Sequence, residues 1–412
     1  MTIIRALTLL LFVASALAAQ GTGGVNAPEQ RDKPYVILVS FDGMRTEYLD
    51  RIHLPNFRRV IERGVRAEGL LPVFPSKTFP NHYSIVTGLY AENHGLVGNR
   101  FRDPARDASY GMGDTAAVRD ASWYRGEPIW ATAEKQGMVA ASYFWVGSEA
   151  PIAGVRPTHW KRYDGRVSNN RRVDSVLAWL ALPADRRPHM ITLYFSDVDG
   201  AGHSHGPLST QVDEAARRVD SALGRLLDGI DASGVRDRVT LILVSDHGMS
   251  ETGPRWYLAL DTVIDLRNVV IADAGPNANL HVREGIERAR VLRDSINRRI
   301  RHGRAYLRED IPERLHYRAD PRIGDILILM DDHFTVGRSN RPPREGTASH
   351  GWEPVRRNMQ AIFVAMGPGI PAGKTIPVFE NVHIYPYMAE VLGLRPARVD
   401  GRAGYLGDLI RR

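Results

Sequence analysis

A chain of 412 residues with 43% hydrophobic and 25% charged side chains has the make-up of a globular protein, one large α/β domain or two smaller ones. Collagen-like, disordered and membrane-embedded classes are excluded, and the absence of cysteine also excludes a disulfide framework and lipid attachment at a cysteine. The formal charge of +7 comes from 54 basic residues, nearly all arginine, spread among 47 acidic ones without a single-sign patch. That pattern reads as a mixed surface that attracts phosphorylated small molecules, and no nucleic-acid duplex is expected as a partner.

Met1 to Ala18 sets Arg5 before an apolar run from Ala6 to Ala14 and the small residues Ala16-Leu17-Ala18, the pattern of a secretory signal peptide over residues 1–18. The run is shorter than the roughly 20 apolar residues that cross a bilayer, so no membrane span is expected once the signal is removed. The expected location is the periplasm or the exterior of a bacterial cell. Residues 19–33, Gly-rich and polar, read as a flexible lead-in to a catalytic region over 34–412.

Tyr35 to Phe41 is a continuous apolar run, as expected of a strand buried on both faces of a parallel sheet. His189 to Phe195, Arg238 to Val244 and Ala361 to Met366 repeat it. Helical periodicity lies between, in Leu54 to Arg63, Ile129 to Gln136, Val173 to Leu180 and Val212 to Leu227. The alternation predicts an α/β fold, a mostly parallel central sheet with helices on both faces and its ligand crevice at the carboxyl ends of the strands. From about 253 to 344 the apolar runs shorten, with an arginine-rich helix over Glu284 to Arg301 and a hairpin-like segment from Ile323 to Val336. This stretch is expected to form an inserted subsidiary lobe.

The strand ends carry the chemistry. Asp42 follows the first run, Asp199 and His203 follow the run ending at Phe195, Asp246-His247-Gly248 follow the run ending at Val244, and His350 precedes the last. A lone Asp after a strand is ordinarily a turn or a helix cap. Three carboxylates and three imidazoles on one rim are better explained as ligands of divalent cations, since these donors suit zinc and similar ions. Thr78, in Phe74 to Tyr83, sits before Phe-Pro at a helix start, where a cap is the ordinary reading; beside a metal rim its hydroxyl becomes a candidate nucleophile.

Taken together, Ser40-Phe41-Asp42-Gly43, Phe74 to Tyr83, His94-Gly95-Leu96-Val97-Gly98-Asn99, Asp199 to Pro207, Ser245 to Met249 and His350-Gly351 resemble the nucleotide pyrophosphatase/phosphodiesterase family, bacterial member, of the alkaline phosphatase superfamily. The resemblance runs in order from about Tyr35 to about Gly407. It implies an alkaline-phosphatase-like fold and two Zn2+, one held by Asp42, Thr78, Asp246 and His247, the other by Asp199, His203 and His350. It further implies Thr78 as nucleophile and Asn99 as partner of a non-bridging phosphate oxygen, together with the backbone N–H next to Thr78. Phe79 and Tyr163 match aromatics that flank a nucleobase, while Lys77 and Arg100 lie where some members direct basic residues at terminal phosphates. One departure is Ser196-Asp197-Val198 before Asp199, where the family more often has Glu-Pro.

The implied reaction is hydrolysis of nucleoside triphosphates, dinucleotides or other 5′-nucleotide phosphodiesters to nucleoside 5′-monophosphates through a phosphothreonyl intermediate. A phosphomonoesterase would have to bind two or three unesterified oxygens by positive groups, and no arginine adjoins the nucleophile motif to do so; a sulfatase needs a cysteine-derived nucleophile, and the chain has no cysteine. A choline-lipid phosphodiesterase is the substrate-level alternative, and an inactive metal-stabilised binding protein is the alternative outside enzymes.

Overall fold

The computed structural model describes residues 23–411, so the signal-peptide expectation lies outside the described residues. An eight-stranded sheet organises the molecule. Its strands, from one edge to the other, are Lys374–Ile376, Val65–Ala67, Phe363–Met366, Val239–Val244, Tyr35–Phe41, Met190–Phe195, Ala140–Tyr143 and His159–Lys161. Tyr35–Phe41 lies parallel between Met190–Phe195 and Val239–Val244, with Ser40 opposite Tyr194 on one side and Val244 on the other. Phe363–Met366 is the exception, antiparallel to both of its neighbours.

Alternation along the central strand explains why its run is apolar throughout. Val36 and Leu38 enter one core while Tyr35, Ile37, Val39 and Phe41 enter the other, so both faces are covered. Helices Pro55–Arg63, Asn169–Leu180 and Thr210–Ala232 pack on the second face, and Thr78–Thr87, Ile129–Lys135 and Ile384–Leu392 on the first. This is the three-layer α/β architecture expected from the alternating pattern.

Between the main-sheet strands Val239–Val244 and Phe363–Met366 the chain builds a four-stranded sheet in the order Val269–Asp273, Asn277–Val282, Ile326–Met330, Gly303–Leu307. It closes an apolar cluster of its own with the helix Ile286–Asn297, whose Ala289, Leu292 and Ile296 are buried. The hairpin expected over Ile323 to Val336 does not form. Ile326–Met330 pairs with Asn277–Val282 and Gly303–Leu307, whereas Thr335–Gly337 turns away and pairs with Tyr257–Ala259. The reversal between them passes through His333 at φ 68° and imitates a hairpin turn in sequence.

The lead-in differs from expectation as well, because Asn26 is buried and its side chain satisfies distant backbone. Its amide donates to the carbonyls of Ala184 and Arg187, and its Oδ1 accepts from the Val139 N–H. Among the described residues no helix is long and apolar enough to cross a membrane.

Candidate active site

The candidate site stands at the carboxyl ends of the three central strands. Asp42 leaves Phe41 directly, Asp246 and His247 follow Val244, and Asp199 and His203 lie one turn apart on the helix Asp197–His205 that follows Phe195. Gly43 makes this crowding possible, since it holds φ 69° and a Cβ there would stand 2.9 Å from Asp199 Cα. His350 arrives from elsewhere: strand Thr347–Ser349 pairs antiparallel with Ser250–Thr252, just beyond His247.

Two groups of three result, Asp42 with Asp246 and His247, and Asp199 with His203 and His350; within each, one ligand atom per residue lies within 4.8 Å of the others. His247 Nε2 is 2.9 Å from Asp246 Oδ2 and 3.5 Å from Asp42 Oδ1. His203 Nε2 is 3.3 Å, and His350 Nε2 3.7 Å, from Asp199 Oδ1.

The arrangement calls for cations. Each imidazole presents Nδ1 to a backbone carbonyl: His203 to Ala348 at 2.8 Å, His247 to Gly248 at 2.8 Å and His350 to Ser76 at 2.9 Å. A carbonyl only accepts, so Nδ1 carries a hydrogen, and whenever the ring is neutral Nε2 turns its lone pair into the site. There it meets Asp42 Oδ1, Asp199 Oδ1 and Asp246 Oδ2, three buried carboxylate oxygens without a hydrogen-bond partner. Acceptor faces acceptor, a conflict that a divalent ion or a proton resolves.

The protonation balance tells the same story. Burial, followed by repulsion from Asp246 and Asp199, pushes the Asp42 carboxyl well above the ordinary range. Burial also opposes ionisation of Asp246, but His247 and His82 overcome it and hold this carboxyl well below that range. Burial and then His247 keep His350 well below an ordinary imidazole. For His203 burial is outweighed by the hydrogen bond and charge of Asp199, which raise it to about 9. Each group offers three protein donors, so a cation held there would keep a position open to substrate or water.

Thr78 is the first residue of the helix Thr78–Thr87, whose cap is Lys77, and no side-chain cap bond is made there. The cap position being Lys77, the Thr78 hydroxyl turns to the ligand group instead and is hydrogen-bonded to His247 Nε2 at 3.2 Å. Asn99 reaches the same helix end, where the Phe79 N–H donates to Asn99 Oδ1 at 2.8 Å. This differs from the expected pair of donors: the backbone N–H is taken by Asn99 itself, and the Asn99 Nδ2 is the donor left for an anion.

The remaining expected residues spread around this centre. Tyr163 is 51% exposed, with its ring 6.3 Å from that of Tyr194, whose hydroxyl donates to Asp42 Oδ2 at 2.5 Å. Phe79 is half-buried and packs 6.2 Å from Tyr110. Arg100 is exposed at the start of the strand Arg100–Asp103. Lys77 departs from expectation: it is buried, and its ammonium pairs with Asp273 at 2.6 Å rather than standing free for terminal phosphates.

Three supporting residues escaped the sequence reading. Tyr194 steadies Asp42. Asn81 donates to the carbonyls of Val73, Pro75 and Lys77 and accepts from the Val73 N–H, tying down the loop before Thr78. His82 lies beneath Thr78 on the same helix. The available signal was polar residues in an otherwise apolar segment, Asn81 and His82 within a helix buried from Pro80 to Thr87.

Comparison with known proteins agrees with this geometry. Human ectonucleotide pyrophosphatase/phosphodiesterase family member 1 is 37% identical over 399 residues, covering 93% of this chain and 42% of that protein. Venom phosphodiesterase CdcPDE of Crotalus durissus collilineatus is 34% identical over 403 residues, covering 95% of this chain and 48% of that protein. The chain therefore spans less than half the length of these relatives. Murine ectonucleotide pyrophosphatase/phosphodiesterase 5 superposes with a TM-score of 0.86 at 29% identity, covering 91% of this chain and 100% of that structure. An inactive threonine-to-alanine variant of the murine protein, in complex with AMP, gives 0.87 at 28% identity and covers 92% and 100%. The fold is that of these structures, alkaline-phosphatase-like. Because residues 36–353 match the family described as Type I phosphodiesterase / nucleotide pyrophosphatase, most of the sheet and every candidate ligand included, the chain belongs to that family.

Proposed function

We propose that the protein is a two-zinc nucleotide pyrophosphatase/phosphodiesterase that forms a phosphothreonyl intermediate on Thr78 and releases nucleoside 5′-monophosphates. Its substrates are nucleoside triphosphates, dinucleotides or other 5′-nucleotide phosphodiesters, it works in the periplasm or outside a bacterial cell, and residues 253–344 are a lobe inserted in one catalytic domain. The observation that carries this reading is the Thr78 hydroxyl, at a helix start and 3.2 Å from His247 Nε2, beside two groups of three candidate ligands. The AMP complex of the inactive threonine-to-alanine murine relative supports both the nucleotide and the role of a threonine.

Divalent cations, when bound, supply the positive charge that makes a threonine hydroxyl and a water acidic at neutral pH and offsets charge on phosphoryl oxygens. The chain does the rest. The amino end of the Thr78–Thr87 helix favours the approach of an anion, and the Asn99 Nδ2 donates to a non-bridging oxygen. Thr78 Oγ1 attacks phosphorus in line as the bond to the leaving oxygen breaks, giving the threonyl ester. Water then attacks from the opposite side, breaks the bond to Thr78 and restores its hydroxyl.

The test is turnover of bis(p-nitrophenyl) phosphate and of ATP by the purified protein, before and after chelation and after return of zinc. Chelator-sensitive cleavage that releases AMP from ATP is expected. No cleavage after zinc is returned, or faster cleavage of p-nitrophenyl phosphate than of the diester, overturns the reading.

A further inference from the structure

His82 is an imidazole at 0% exposure inside a helix buried from Pro80 to Thr87, and a buried polar group persists only when its partners are in place. Nδ1 lies 2.9 Å from the carbonyl oxygen of Thr78 and 3.3 Å from Asp246 Oδ2. Nε2 lies 2.8 Å from Ser40 Oγ. Since the Thr78 carbonyl only accepts, Nδ1 carries the hydrogen, and Nε2 accepts from the Ser40 hydroxyl. Trp145 and Tyr194 stand edge-on to the ring at 5.1 and 5.2 Å, and the Trp145 indole N–H donates to the His82 carbonyl. One ring is thereby fixed against the central strand, the helix that bears Thr78 and a carboxylate of the cation site. The other oxygen of that carboxylate, Asp246 Oδ1, accepts from the Gly43 N–H at 3.2 Å.

We propose that His82 is a positioning residue that sets the Thr78 helix start against Asp246: its Nδ1–H donates to the Thr78 carbonyl and stands 3.3 Å from Asp246 Oδ2, while Ser40 holds Nε2. Such a part matters because Thr78 and the ligand Asp246 come from separate segments of the chain, the helix Thr78–Thr87 and the end of the strand Val239–Val244. Supporting partners of this kind orient ligands, and their loss typically weakens metal affinity or activity by about 10- to 100-fold.

Isosteric substitutions separate the two nitrogens. Asn carries its amide nitrogen on the same carbon as Nδ1, and Gln carries one where Nε2 stands. For the full chain loaded with zinc, His82→Leu is expected to lower kcat on bis(p-nitrophenyl) phosphate about 10- to 100-fold with little change in KM, and to release zinc at correspondingly lower chelator concentration. His82→Asn should recover most of both, and His82→Gln should resemble Leu. If the Leu protein does not fold, as judged by circular dichroism, the Asn and Gln pair decides alone. Better rescue by Gln than by Asn, or zinc retention unchanged in both His82→Gln and a folded His82→Leu, overturns the inference. The kinetic readout rests on the proposed phosphodiesterase activity, whereas zinc retention does not: a wild-type chain that holds zinc but cleaves neither diester nor ATP would overturn that function and leave the chelation comparison to judge His82.

Discussion

The imidazoles of His247 and His350 lie face to face, 3.5 Å between centroids and 10° from parallel, although they belong to different ligand groups. Their contact sets the two groups side by side. It also couples them, because neither ring can shift without disturbing its neighbour in a fully packed setting. His350→Ala is accordingly expected to lose the cation held with Asp199 and His203 and to weaken the other as well. Elemental analysis of protein purified without chelators checks this, with two zinc equivalents expected for the wild type and one or fewer for the variant.

Thr78→Ala should keep the fold and the metals and lose turnover by several orders of magnitude, leaving only the residual catalysis that binding and cations provide. Thr78 is not the cap residue and the substitution removes one hydrogen bond, to His247, so the thermal midpoint should move by only a few degrees. Thr78→Ser, which retains a hydroxyl, should recover a measurable part of the rate. Near-normal turnover by the alanine protein would remove Thr78 as nucleophile.

Acid should strip the metals. A cation at Asp199, His203 and His350 must displace the proton of a His203 raised to about 9 by Asp199, so below that pH this group alone should weaken zinc binding about tenfold per unit. For the metal-free fold the sign is reversed: the raised group contributes stability that is fully present below its ordinary value near 6.5 and is lost as pH rises through about 9. Zinc titrations and urea unfolding of the chelated protein across pH 6 to 10 measure the two trends separately. Zinc affinity that is flat over this range would contradict the placement of His203 in the site.

The pair Lys77 and Asp273 makes a different prediction from the one drawn from family position. Their side chains are 6% and 15% exposed, and removing one partner leaves the other charge buried and unpaired. Lys77→Met is expected to cost about 3 kcal/mol in urea unfolding and to lower kcat/KM on ATP and on bis(p-nitrophenyl) phosphate alike. A loss confined to ATP would return Lys77 to the role of a ligand for terminal phosphates.

What the sequence made legible, and what it hid, follows from how each residue is encoded. Strands buried on both faces must be apolar throughout, so an Asp at the end of Tyr35–Phe41 stands out, and the same contrast marks Asp246 and Asp199. His350 was found through its motif, because nothing local shows that Thr347–Ser349 pairs with Ser250–Thr252. Tyr194 and His82 were missed for the opposite reason: aromatic and imidazole rings pass for core in a strand or a buried helix, and only the fold reveals Tyr194 donating to Asp42 and His82 bonded to Ser40 and the Thr78 carbonyl. The Lys77 side chain was misdirected because its partner Asp273 lies in another sheet, almost 200 positions away. Likewise, the false hairpin after Ile323 came from two genuine strands joined by a reversal, whose partners lie elsewhere in the chain.

Phe79 and Tyr163 are expected to hold the base of a nucleotide, and their settings make them unequal tests. Phe79 directly follows Thr78 and its N–H is held by Asn99; it is also half-buried against Tyr110 and the first core. Phe79→Ala therefore mixes lost stacking with lost packing and should lower the thermal midpoint. Tyr163 is half-exposed, packing edge-on to Phe144 at 5.2 Å, and its backbone N–H is anchored by Glu149. Removing its ring should leave stability nearly unchanged. Stacking on an aromatic is worth roughly 1–3 kcal/mol per base and tolerates different bases, so Tyr163→Ala should reduce kcat/KM for ATP and for GTP by about 5- to 100-fold, most of it in KM. Bis(p-nitrophenyl) phosphate, which lacks a nucleoside, should be much less affected. Equal losses on the diester and on both nucleotides, or no loss on ATP accompanied by strong cleavage of glycerophosphocholine, would take the base away from Tyr163 and turn the site toward choline-lipid diesters.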